Sequence, residues 1–175
     1  VQTCALPIWA EFADHLDVAA AAEALGEGYV LLLRGHRFHR PVGVRGPAGA
    51  RIVDVTAYPE INDLVLAADA AVLDYSSLRF DVALAGVPSV FLVPDLEEYA
   101  RGTRQFLYPF EDSAPGPLLS TTAEVVEHLR DLPGLRTAWR PALEEFNARY
   151  HPFQDGAATA RVVDGLLAML PPGPA

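Results

Sequence analysis

The sequence predicts an α/β domain built on a doubly wound, Rossmann-like parallel sheet, and three features carry that prediction. Short, wholly apolar runs recur along the chain, as strands buried on both faces require; residues 29–33 and 89–93 are the clearest. Segments with helical apolar spacing lie between them, joined by short polar links. Strand and helix alternate through 175 residues, a length that suits one domain.

Each element has a local reason. Residues 16–25 are strong helix formers and end at Gly26. The strand at 29–33 runs into Arg34, Gly35 and His36, and the Pro- and Gly-rich stretch 40–50 reads as a loop. A second strand is expected at 51–55. Pro59 then opens a helix at Glu60, with Ile61, Leu64, Val65 and Ala68 as its buried stripe. A third strand at 70–73 is followed by a helix over 78–84 that stops at Gly86, and the fourth strand, 89–93, is closed by Pro94. Thr121 or Thr122 caps a helix through Leu129, with Glu124 placed for a capping box. Two more helices are expected at 136–149 and 156–169, and residues 171–175 form a Pro/Gly-rich tail.

Composition narrows the chemistry. An apolar fraction of 51% is ample for a core, and a formal charge of −10 argues against a nucleic-acid partner. All thirteen basic residues are arginine, which removes Schiff-base chemistry and a P-loop lysine while leaving a side chain suited to bidentate phosphate contacts. The single cysteine, Cys4, cannot build a disulfide framework or a thiolate zinc cluster. The five histidines (His15, His36, His39, His128 and His151) lack metal-ligand spacing, so no metal site is expected. No apolar run reaches the ~20 residues of a membrane-spanning helix. Residues 1–8 match the translation of a common sequencing adapter, so the natural sequence is expected to begin near Trp9 and the folded domain to cover 9–170.

In open α/β sheets ligands bind beyond the carboxyl ends of the strands. The third strand ends in Asp74, Tyr75, Ser76 and Ser77 and passes straight into a helix bearing Asp81. Free amides at a helix start and two adjacent hydroxyls suit a phosphate or diphosphate, and Asp81 suits the ribose of the same ligand. Arg34, Gly35 and His36 at the first strand end add a guanidinium and an imidazole to the rim. A plain serine cap on a core helix, or an Arg34 paired with an exposed acid, would explain any one of these residues alone. Asp95, Glu97 and Glu98 read as a solvated helix start, His128 as a helix-face residue, and His151 with Pro152 as a turn.

Several motifs together resemble the CDP-glycerol glycerophosphotransferase family. They are the run 58–69, the Asp74-Tyr75-Ser76-Ser77 turn, the segment 80–88, the acidic run 95–99, the Pro-Gly turn at 114–117 and the segment 153–156. The resemblance covers about residues 12–168. It implies the carboxyl-terminal, donor-binding half of a GT-B fold, with an amino-terminal acceptor domain missing from this chain. The family transfers a polyol phosphate from a CDP-linked donor to a teichoic-acid-like polymer and releases CMP. By this resemblance Arg34, Gly35, His36, Ser76 and Ser77 grip the donor diphosphate, and Asp81 contacts its ribose. His36 stabilises the phosphates or protonates the leaving group. The main base, another histidine, belongs to the missing half, so the fragment is expected to bind better than it catalyses. No cofactor beyond the CDP-glycerol-type donor is implied. The acceptor, polymer or lipid-linked, would be met through the missing half, and the complete protein would sit peripherally on the cytoplasmic face of the membrane. Two rivals share the rim: a GT-B sugar-nucleotide enzyme (glycosyltransferase or epimerase), and a nucleotide-binding module without catalysis. The former often carries Gly-Gly where this chain has Ser76-Ser77.

Overall fold

The computed structural model describes residues 15–35, 51–102 and 106–170. In chain order the elements are α1 (Val18–Leu25), β1 (Val30–Leu33), β2 (Arg51–Asp54), α2 (Ile61–Ala67), β3 (Ala71–Leu73), α3 (Leu78–Leu84), β4 (Ser89–Leu92), α4 (Leu96–Arg101), β5 (Leu118–Leu119), α5 (Thr122–Arg130), α6 (Leu132–Tyr150) and α7 (Ala158–Ala168). All strand pairs are parallel. Among the described residues they fall into two ladders, β1–β2 and β3–β4–β5. This is the α/β, parallel-sheet architecture expected from the sequence.

The strands of the second ladder are buried on both faces, and alternation sorts their side chains. Val72, Val90 and Leu92 join α1, α5 and Leu135 of α6 in one apolar cluster. Ala71, Leu73, Phe91 and Val93 point the other way, against Val65 of α2, Val82 of α3 and Phe110. A period-two strand between two helical layers produces this division, and it explains why residues 89–93 carry no polar face. Between the ladders lies a cavity of about 670 Å³, lined by Leu31 and Leu32 of β1 and by Val72 and Leu73 of β3. Val82 and Leu129 also line it, so it meets both apolar clusters.

Helix boundaries follow the caps. Asp17 accepts from the Ala20 amide at 2.9 Å and starts α1 at Val18, two residues later than apolar content alone predicts. Glu60 is the N-cap of α2 and its carboxylate accepts from the Asn62 amide. Thr121 and Glu124 form the expected capping box on α5. Asp131 accepts from the Gly134 amide and begins α6 at Leu132, four residues before the expected start. The strand β5 is not among the expected elements, because two residues are too few to show a period. The expected loop at 40–50 and tail at 171–175 lie outside the described residues.

Candidate functional site at the carboxyl ends of the strands

Asp74 closes β3 and is buried. Its Oδ1 accepts from the Ser76 amide at 2.9 Å, the side-chain-to-backbone turn that favours Asp at such a position. Ser76 is only 1% exposed, and its Oγ accepts from the Leu78 amide at 3.1 Å. One of the two predicted anion-binding hydroxyls is therefore turned inward to hold the start of α3. Ser77 is the N-cap residue; it is exposed, sits in helical geometry and makes no side-chain cap bond. Its hydroxyl is the one presented outward. Asp81 lies in the first turn of α3 and is exposed.

Arg34, at the end of β1, sends one terminal nitrogen to the carbonyls of Val55 (3.1 Å) and Tyr58 (2.6 Å). Gly35 donates its amide to Thr56 Oγ1 at 3.0 Å. Both fasten the first strand end to the β2–α2 link, so the two links form one rim. Arg34 and Leu78 both line the cavity between the ladders. His36 lies outside the described residues.

Two neighbours are not legible as site residues in the sequence. Tyr75 donates its hydroxyl to Asp95 Oδ1 at 2.7 Å and stacks on Tyr99 with centroids 4.0 Å apart. Burial, and then the Asp95 carboxylate, push its phenol far above the usual range. Arg79, in the first turn of α3, is buried, with its guanidinium against the rings of Phe80 and Phe110. Burial lowers its pKa, opposed by Tyr108, Tyr150 and Asp74. No local signal in the sequence marks it, because arginine on a short helix is ordinarily solvated.

Asp95 departs from the solvated helix start expected of it: it is half-buried at the N-cap position of α4, makes no cap bond and accepts from Tyr75. Glu97 is exposed as expected and pairs with Arg101 in a surface i,i+4 bridge at 2.8 Å. A ring nitrogen of His128 lies 2.9 Å from the Glu124 carbonyl on its own helix. His151 ends α6 and lies 3.1 Å from the Phe80 carbonyl, joining that end to α3. Among the described residues no group of three or more His, Cys, Asp or Glu is placed to hold a metal ion.

Against known proteins, the chain is 32% identical over 154 residues to a teichoic acid poly(glycerol phosphate) polymerase of Bacillus subtilis, covering 88% of this chain and 21% of that protein. It is also 32% identical over 162 residues to a teichoic acid ribitol-phosphate primase of Bacillus spizizenii, covering 92% of this chain and 40% of the other. The fold matches the solved structure of the wall teichoic acid polymerase TagF with a TM-score of 0.78 at 22% identity, over 95% of this chain and 42% of that one. A variant of that polymerase soaked with CDPG gives the same TM-score at 24% identity. The chain thus spans from a fifth to two fifths of the length of these relatives. The family model for CDP-Glycerol:Poly(glycerophosphate) glycerophosphotransferase matches residues 9–168, and the chain belongs to that family.

Proposed function

We propose that this chain is the donor-binding part of a transferase that moves glycerol phosphate, or another polyol phosphate, from a CDP-linked donor to a teichoic-acid-like polymer. The observation that carries the reading is the turn 74–78 at the carboxyl end of β3, inside a family match over residues 9–168. Ser77 is exposed there, the β1 end with Arg34 and Gly35 is fastened to the β2–α2 link, and Arg34 lines the cavity that Leu78 also lines. A diphosphate laid across this rim meets a guanidinium on one side and hydroxyl and amide donors on the other. Asp81, exposed one turn further along α3, accepts from the ribose.

In the complete protein the acceptor hydroxyl attacks the donor's β-phosphorus and CMP departs. Arg34, His36 and the serine turn stabilise the phosphate charge, so catalysis is positioning and electrostatics with no covalent intermediate required. The base, and the surface that meets the acceptor, are assigned to polypeptide beyond this chain. A peripheral place on the cytoplasmic face of the membrane suits a polymer grown on a lipid-linked acceptor. Among the described residues no helix is long and apolar enough to cross a membrane.

Calorimetric titration with CDP-glycerol, CMP and a UDP-sugar tests the reading. Cytidine-selective binding, weakened by Ser77→Ala and by Arg34→Ala, is the expected result. Preference for the uridine ligand would overturn it in favour of a sugar-nucleotide enzyme.

A further inference from the structure

Arg79 is the only buried arginine among the described residues, and none of the ion pairs found there includes it. Its guanidinium is spent on the turn before its own helix. One terminal nitrogen donates to the carbonyls of Tyr75 (3.3 Å) and Ser76 (3.1 Å). The other donates to Ser113 Oγ at 3.3 Å, and that hydroxyl, fully buried, donates in turn to the Phe110 carbonyl at 3.0 Å. Nε is buried with no hydrogen-bond partner. The rings of Phe80 and Phe110 lie 4.7 and 5.0 Å from the guanidinium carbon.

The turn is therefore gripped from two sides. Asp74 takes the Ser76 amide and Ser76 Oγ takes the Leu78 amide, while Arg79 takes the carbonyls of Tyr75 and Ser76. What stays outside is Ser77. Desolvating a guanidinium without a carboxylate in contact is costly, and an apolar side chain would fill the same space more cheaply. A positive charge held in low dielectric under a turn acts strongly on an anion above it. Asp74, buried at the end of β3, already acts electrostatically on Arg79, and a phosphate bound over the turn would add to that negative charge.

We propose that Arg79 is a positioning residue for donor phosphate: it fixes the turn 74–78 and places a buried positive charge beneath the diphosphate. The proposal rests on the donor-site reading above and names a residue outside the set that reading uses. It predicts an effect concentrated on the terminal phosphate of the donor.

The test compares CDP with CMP as probes, by calorimetry on the 175-residue chain, for wild type, Arg79→Met and Arg79→Lys. Amide exchange at Ser76 and Leu78 is followed in parallel. Arg79→Met is expected to weaken CDP about tenfold through loss of the buried charge and of the fixed turn, while CMP weakens by less, so the CDP-to-CMP affinity ratio falls. Arg79→Lys, which keeps the charge but loses the fork, is expected to restore part of that ratio. In Arg79→Met the two amides exchange faster. A folded Arg79→Met with wild-type CDP-to-CMP ratio would overturn the proposal, because a residue that only stabilises the fold moves the melting temperature and leaves the ratio alone. Unchanged exchange at both amides would overturn the positioning role whatever the ligand result. A wild-type chain that binds neither nucleotide overturns the donor-site reading itself, which separates the two failures. If Arg79→Met does not fold, Ser113→Ala removes one guanidinium partner, and it must lower the same ratio for the proposal to stand.

Discussion

The Tyr75 hydroxyl donates to Asp95 Oδ1 at 2.7 Å, and this bond ties the link after β3 to the link after β4. The two links lie side by side at the carboxyl ends of adjacent parallel strands, and the Tyr75 ring also stacks on Tyr99 of α4. A neutral phenol donating to a carboxylate in a half-buried place is among the stronger hydrogen bonds available to a protein.

Tyr75→Phe removes that donor and leaves Asp95 without it. The expected loss is about 1.5–3 kcal/mol of stability, read as a drop of roughly 3–12 °C in melting temperature for a chain of this size. Cytidine nucleotide affinity measured on the folded chain should change less than it does for Ser77→Ala, because the phenol faces α4 and not the Ser77 side of the turn.

The same pair sets an alkaline limit. The folded-state pKa of Tyr75 is raised above the unfolded value of 10.0, chiefly by burial and next by Asp95. The bond's contribution is therefore whole below pH 10 and declines as pH rises toward the folded pKa, because only the unfolded phenol ionises in that window. Urea midpoints should fall between about pH 10 and 11.5 in wild type, and the fall should be shallower in Tyr75→Phe. Equal slopes would show that the pair does not link to folding.

On the acid side the capping box of α5 is the place to look. The amide of Ser120, then the hydroxyl and amide of Thr121, hold the Glu124 carboxyl below its usual value of 4.5. The depressed pKa means that its stabilisation is present above pH 4.5 and is lost as pH falls. Thr121→Ala breaks the reciprocal bond to the Glu124 amide and should cost about 1 kcal/mol at neutral pH. Thermal melts of wild type and Glu124→Gln should converge as the pH is lowered toward about 3.

Those caps also show what the sequence can reveal. Thr121 with Glu124 three residues on is a local pattern, as is the apolar run of Val90, Phe91 and Leu92, and both are legible in the order of residues alone. The inward turn of Ser76 is not, because Ser76 and Ser77 are chemically identical and only the packing of α3 against β3 and β4 decides which is buried. Arg79 escapes sequence reasoning on the same ground: its partner Ser113 is 34 residues away, and arginine on a short helix is ordinarily solvated. Helix α6 starts earlier than its apolar spacing predicts because Asp131 closes α5 and caps α6 at once, a double use that periodicity cannot display. The candidate rim is legible because acid, hydroxyls and guanidinium sit at strand ends, where open α/β sheets bind ligands. Of the candidate rim residues, His36 lies outside the described residues.

Arg34 offers a prediction that separates charge from shape. Its terminal nitrogen holds the Val55 and Tyr58 carbonyls, and a lysine can supply the charge without reaching both. Arg34→Ala is expected to weaken CDP-glycerol about tenfold and to speed amide exchange at Gly35, whose bond to Thr56 depends on the same link. Arg34→Lys should recover affinity more than it recovers exchange protection. The reverse order would assign Arg34 to the fold and leave the phosphates to other groups.

Gly116 sets the close approach of β5 to β4. A methyl group there would run into the Ser89 carbonyl and press on the Phe91 ring, both parts of the central strand β4. The Gly116 backbone is followed by the Pro117 carbonyl that accepts from the Phe91 amide at 2.9 Å, so the strand cannot retreat without losing a ladder bond. Gly116→Ala should therefore cost about 1–3 kcal/mol, the usual penalty for overpacking, although alanine is otherwise the milder backbone choice. Urea unfolding checks this directly. A variant as stable as wild type would mean that β5 can shift along β4, and the two-residue ladder would then be a contact of convenience and not a fixed edge of the sheet.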